Sequence, residues 1–182
     1  KSILDYWNSF KDVRIAASLD GMGKRGELIR AGTDWGVIED NRKQMMKECP
    51  DVYFEITPTV SIMNVYHLPD FHKDWVERGL LEPQNVRMNI LTYPTEYRIQ
   101  IIPPKERKIF IDKYTEHIKW IDDNFGDGAA KRGFESVLDF LQQENYENLI
   151  PDFVDRNTPL DKLRGESLYQ VAPELKFLEE RK

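Results

Sequence analysis

The sequence predicts an α/β fold built on a parallel sheet, and more narrowly one part of an α/β barrel. Three observations lead there. The stretch 13–19 reads as an apolar strand that runs into Ser18 and Leu19, and Asp20 and the turn at Gly21 follow it, which is the pattern of a parallel strand carrying polar groups at its carboxyl end. Two more runs of strand composition, 52–61 and 86–91, follow it. Helix-like segments separate all three, and that alternation yields a parallel sheet. Three strands are few for such a sheet, whose two faces both need cover, so the rest of the barrel is expected to lie outside this chain.

The elements follow in order. Residues 2–10 read as a short helix with Ile3, Leu4, Trp7 and Phe10 on one side. Residues 21–33 carry four glycines and many charges and read as a loop. Thr33 is the expected cap of a helix over 34–48, which Pro50 ends. Within the second strand, Pro58 predicts a bulge or a strand end. Leu68-Pro69-Asp70 opens a helix to Arg78, and Gly79 closes it. Residues 93–104 read as irregular or extended.

From Lys105 onward the composition becomes helical. One helix is expected over 105–124 with Phe110, Tyr114, Ile118 and Ile121 inward, and a second over 134–144 with Phe134, Val137, Leu138 and Leu141 inward. Pro159-Leu160-Asp161 reads as a turn, and a last helix follows Pro173. The expected division is therefore 1–104 for the strand-bearing part and 105–182 for the helical extension.

At 182 residues the chain is long enough for a substantial core. A net charge of −6 argues against nucleic acid as the main partner, because phosphate binding needs a basic patch. The cluster Arg98, Lys105, Arg107 and Lys108 reads as a solvated face. No apolar run approaches the ~20 residues of a membrane span, and no signal-peptide pattern opens the chain. Cys49 is the sole cysteine, so no intrachain disulfide is expected, and a cytoplasmic, reducing compartment is. It reads as a half-buried structural thiol.

Ser18, Asp20 and Arg30 are the candidate binding set. A hydroxyl and a carboxylate at a strand end suit sugar hydroxyls, and an arginine holds a carboxylate in bidentate fashion. The same Ser18 and Asp20 could instead tie down the turn through backbone hydrogen bonds. Val60, Ile62 and Asn64 close the second strand, where apolar side chains either pack on a flat ring or belong to the core. His67 and His72, five apart, match no helical metal spacing and read as surface or helix-start residues. Gly21-Met22-Gly23-Lys24 lacks the full phosphate-loop pattern. No nucleophile elbow is present. The acidic pairs Asp122-Asp123 and Glu179-Glu180 read as solvated.

In this order, Ser18-Leu19-Asp20-Gly21, Arg30, Asp34-Trp35, the run Tyr53 to Asn64, Asn89-Ile90-Leu91 with Pro94, and the tail segments Leu160 to Leu168 and Pro173-Glu174-Leu175 resemble the second half of radical S-adenosylmethionine enzymes. The group they look most like is the twitch-domain proteins, whose auxiliary-cluster domain is shortened. The resemblance implies half of a partial (β/α)6 TIM-like barrel with parallel strands, followed by a mostly helical C-terminal extension. It implies an enzyme in which a 4Fe–4S cluster cleaves S-adenosylmethionine to a radical that abstracts hydrogen from substrate, the cofactors carrying the chemistry and the protein positioning them. Ser18 maps onto the family's polar contact to the cofactor and Arg30 onto the arginine that meets its carboxylate. Val60 to Asn64 map onto the adenine side.

The chain departs from the family in one large respect. The CxxxCxxC cluster motif is absent, and so are the strand-two motif and the auxiliary-cluster cysteines. A cluster needs about three or four thiolates. The chain, which opens at Lys1 without a methionine, is expected to be the C-terminal piece of a longer enzyme, inactive alone, with the N-terminal half of the barrel as its natural partner. The other reading is a free-standing, non-catalytic half-barrel that binds a partner or itself. An isolated half-barrel exposes a strand edge and an apolar face, so a homodimer or swapped assembly is expected.

Overall fold

The computed structural model describes residues 2–179. A capping box built by Ser2 and Asp5 starts α1 (Ile3–Trp7). Then come β1 (Arg14–Ala17), α2 (Gly23–Ile29), α3 (Trp35–Glu48), β2 (Tyr53–Ile56), β3 (Thr59–Val60), α4 (Leu68–Glu77) and β4 (Asn89–Ile90). The helical part comprises α5 (Arg107–Phe125), α6 (Ala129–Gln142), α7 (Ile150–Arg164), α8 (Leu168–Val171) and α9 (Lys176–Glu179).

All strand pairing is parallel. β1 lies against β2 in the register Arg14↔Tyr53 to Ala17↔Ile56, and β3 lies against β4. A parallel bridge, Ile56↔Val86, joins the two pairs. The second and third expected strands are thus shorter than 52–61 and 86–91. Pro58, which has no N–H to give, separates β2 from β3, while its carbonyl still accepts from Asn89 N (3.0 Å).

The two faces of this ladder differ. Ile15, Ala17, Phe54 and Ile56 face helices, with Phe54 beside Trp75 of α4 and under the guanidinium of Arg42 of α3. The ring group Trp35, Phe71 and Trp75 knits α3 to α4. The opposite face carries Arg14, Ala16, Ser18, Tyr53, Thr59, Arg87 and Asn89, all exposed, together with the buried Glu55, which Arg87 pairs. Parallel strands ordinarily have both faces covered. Here one face is open and polar, and the outer edge of β1 has no strand beside it among the described residues.

Four local expectations are corrected. Residues 21–33 are not all loop, because α2 forms through Gly23 and Gly26. Tertiary contacts override glycine's low helix propensity there: Leu28 and Arg25 are buried, and a Cβ at Gly26 would come within 2.6 Å of Gly21 O, so only glycine lets the helix close on the strand-end turn. The cap of α3 is Asp34, whose side chain accepts from Val37 N (3.2 Å), while Thr33 Oγ1 donates to Arg30 O (2.8 Å). Residues 95–97 and 99–101 form short 3₁₀ turns that bury Ile99 and Ile101.

The fourth correction is Pro159, which lies inside α7 rather than in a turn. Its ring removes the hydrogen bond to the carbonyl of Asp155, an exposed residue whose carbonyl can turn to water. Buried Phe153, Val154 and Asn157 anchor the helix before the proline. Gly165 ends it in the left-handed conformation (φ 64°).

In the helical part α5 and α6 pack on one another, with Phe110, Tyr114, His117 and Ile121 meeting Ala130, Phe134, Val137 and Leu141. His117 takes the inward place expected of Ile118, which is half-buried. α6 starts earlier than expected because Gln84 Oε1 accepts from Ala130 N (3.0 Å). The buried side chains from Leu28 to Leu178 form one cluster across residue 104. Residues 180–182 of the expected extension, with Glu180 of the second acidic pair, lie outside the described residues. No described helix is long and apolar enough to cross a membrane.

Candidate functional site

The carboxyl ends of the strands bring Ser18, Asp20 and Arg30 to one place. Asp20 is buried, with its Oδ2 2.8 Å from Arg30 Nε and its Oδ1 accepting from Thr59 N (2.7 Å). The Arg30 side chain is 41% exposed, and the protein offers its terminal nitrogens no hydrogen-bond acceptor among the described residues. Ser18 is exposed, and its hydroxyl has no protein partner among the described residues. Asp20 therefore ties the turn to β3, whereas Ser18 and the outer edge of Arg30 are left facing outward.

Asn64 is fully buried and works as a clamp. Its Nδ2 donates to Asp20 O and Thr59 O (both 2.9 Å), and its Oδ1 accepts from Ser61 N (2.8 Å). All its strong groups are used within the protein. Val60 and Ile62 are also fully buried and belong to the core. These three residues hold the strand ends in place and present no side-chain surface.

The other chemically suggestive residues are placed as follows. His67 sits at the start of α4 and its Nε2 accepts from Met22 N (3.1 Å); burial pushes its pKa down to about 4. His72 and His117 are not surface residues. They meet in the core, His72 Nδ1 to His117 Nε2 at 3.0 Å, with His72 Nε2 donating to Pro83 O (2.9 Å). Because Pro83 O can only accept, His72 carries its proton on Nε2, and His117 must donate from Nε2. Burial holds both far below the ordinary histidine range. Cys49 is buried rather than half-buried, with Sγ 3.6 Å from Leu4 O.

The expected solvated basic cluster is corrected for two of its members. Arg107 is buried and donates to the carbonyls of Ile102, Gln143, Gln100 and Glu144. Arg98 is half-buried, with its guanidinium over the rings of Tyr146 and Phe140. The first acidic pair is exposed as expected, with Asp122 on Lys131 and Asp123 on Lys119.

Sequence reasoning did not foresee Arg25. It is buried and its guanidinium reaches Met63 O, Val171 O and Glu174 Oε1. The contact fastens the C-terminal tail to α2. Nor did it foresee the cavity of about 330 Å3 beside Asp20, where Asn157, Leu160 and Arg164 of α7 face the strand ends. No sequence signal marks either, because each depends on residues far apart in the chain.

S-adenosylmethionine offers a carboxylate and ribose hydroxyls, and the outward-facing Arg30 and Ser18 suit both. A 4Fe–4S cluster does not fit: the chain has one cysteine, buried, and no group of three or more metal-binding side chains exists among the described residues. Comparison of the chain with protein-family models, with curated proteins and with solved structures finds no match.

Proposed function

We propose that this chain is the rear part of a radical S-adenosylmethionine enzyme's partial barrel, and that Ser18 and Arg30 form one wall of the S-adenosylmethionine site. The observation that carries this reading is the Asp20–Arg30 ion pair at the carboxyl end of a parallel strand, with Ser18 and the terminal nitrogens of Arg30 facing outward. That is where open parallel sheets bind ligands.

The geometry supports these roles. Asn64 and Thr59 N fix Asp20; Asp20 holds Arg30 through Nε; the two terminal nitrogens remain to take a carboxylate end-on. Ser18 supplies a hydroxyl to the sugar or amino group. S-adenosylmethionine, when bound, would supply the hydrogen-abstracting radical. The cluster that reduces it would belong to the front half of the barrel, which would pair with the outer edge of β1 and cover its polar face.

The reading frame that precedes the Lys1 codon tests this. A continuous frame encoding CxxxCxxC upstream is expected. A frame that starts or stops without that motif overturns the proposal and leaves the free-standing half-barrel.

A further inference from the structure

The carboxyl ends of the strands line a second space, separate from the outward face of Ser18 and Arg30. Asp20 after β1, Ser61 after β3 and Leu91 after β4 form its floor, and Asn157, Leu160 and Arg164 of α7 form its roof. Its volume of about 330 Å3 lies at the small end of ligand pockets. Residues from three parallel strand ends meet there, which is the general ligand position of parallel α/β folds.

The charges in this cavity are unequal. Both oxygens of Asp20 are engaged, one on Arg30 and the other on Thr59 N, and its charge is offset by Arg30. Arg164 is exposed and, among the described residues, makes only a 3.3 Å hydrogen bond from Nη1 to Leu28 O. No carboxylate lies within ion-pair distance of it among the described residues, and its field reaches the Tyr97 phenol on the cavity wall. The cavity therefore holds one uncompensated cation, while Leu28, Leu91, Leu160 and Tyr97 make most of the remaining surface apolar.

We infer that this cavity binds a small organic anion, its carboxylate or phosphate on Arg164 and its apolar body between Leu160 and Leu91. The inference rests on the cavity and uses neither Ser18 nor Arg30, so it stands or falls apart from the S-adenosylmethionine reading. If both hold, the anion is a second ligand beside the cofactor, separated from it by Asp20.

The test is an NMR titration of the ¹⁵N-labelled 182-residue chain with phenyl phosphate, and in parallel with benzyl alcohol as its uncharged counterpart. Phenyl phosphate is expected to shift the amides of Ser61, Leu91, Asn157 and Arg164. Arg164→Gln is expected to weaken it by roughly tenfold, the worth of one charge-assisted hydrogen bond. Benzyl alcohol is expected to bind weakly and equally to both chains. Leu160→Trp, at a partly exposed position, fills the space and is expected to abolish the shifts while the rest of the spectrum stays native. Shifts elsewhere only, equal phenyl phosphate affinity in Arg164→Gln, or equal affinity for the alcohol and the phosphate would each overturn the proposal.

Discussion

Arg25 of α2 and Glu174 of the tail, 149 residues apart, form an ion pair of 2.8 Å in which both side chains are under a tenth exposed. Arg25 also donates to Met63 O and Val171 O, so one guanidinium joins the segment after β1, the segment after β3 and the C-terminal tail. Removing one partner of such a pair leaves a buried charge uncompensated. Glu174→Ala is expected to cost about 3–5 kcal/mol in urea unfolding. The paired replacement Arg25→Met with Glu174→Leu should recover much of that loss. A Glu174→Ala cost within 1 kcal/mol of zero, on the ordinary surface scale, would show that the pair does not hold the tail.

The second prediction concerns Asn64. Truncation to alanine strands Ser61 N–H and two carbonyls, those of Asp20 and Thr59, in a buried place. Each unsatisfied group costs roughly 1–3 kcal/mol, so Asn64→Ala should destabilise by about 3 kcal/mol or more. Thermal and urea unfolding measure it. Loss of Asp20 placement should also appear as shifted amide resonances at Thr59 and Arg30.

Acid stability follows from the histidines. Burial lowers the folded pKa of His67 to about 4, and it also depresses His72 and His117. The unfolded chain takes up these protons below about pH 6.5 and the folded chain does not. Stability is therefore complete above pH 6.5 and falls as pH drops toward about 4, by up to about 1.4 kcal/mol per pH unit for each histidine. His67→Gln, whose amide oxygen can still accept from Met22 N, should reduce that slope by one histidine's share. Urea midpoints at pH 7, 6 and 5 check this, and an unchanged slope would contradict it.

The edge of β1 leads to a fourth expectation. Beside that edge, between α1 and α3, lies a groove of about 450 Å3 lined by Leu4, Trp7, Ile15, Ile38, Met45 and Phe54. Ile3 and Phe10 next to it are well exposed. An open strand edge flanked by apolar surface associates. Sedimentation velocity of the isolated chain at high micromolar concentration should show a dimer, and Ile15→Lys should shift it to monomer. A clean monomer for the native chain counts against the exposed edge as an interface.

The strand-to-helix rhythm was legible because periodicity and turn residues are local signals. β1, α3, α4 and α5 lie close to where apolar spacing, Pro50, Gly79 and Gly126 place them. α2 was not legible, because what allows a helix through Gly23 and Gly26 is the approach of Gly21 O and the distant anchors of Arg25. Pro159 misled for the same reason: the packing of Phe153 and Val154 outweighs a local breaker. At the site, the residue types Ser18, Asp20 and Arg30 were readable from one strand end. That Asn64 would turn inward to clamp Asp20, and that α7 would bring Arg164 across the strand ends, depends on chain separations no local pattern encodes.

The proposed site depends above all on Arg30, held by Asp20, taking the carboxylate of S-adenosylmethionine. Isothermal titration of S-adenosylmethionine into the cluster-loaded product of the complete reading frame, native against Arg30→Ala, tests it most directly. A loss of affinity of about tenfold or more is expected in the variant, the worth of a charge-assisted hydrogen bond. Equal affinities would contradict it and remove Arg30 from the site.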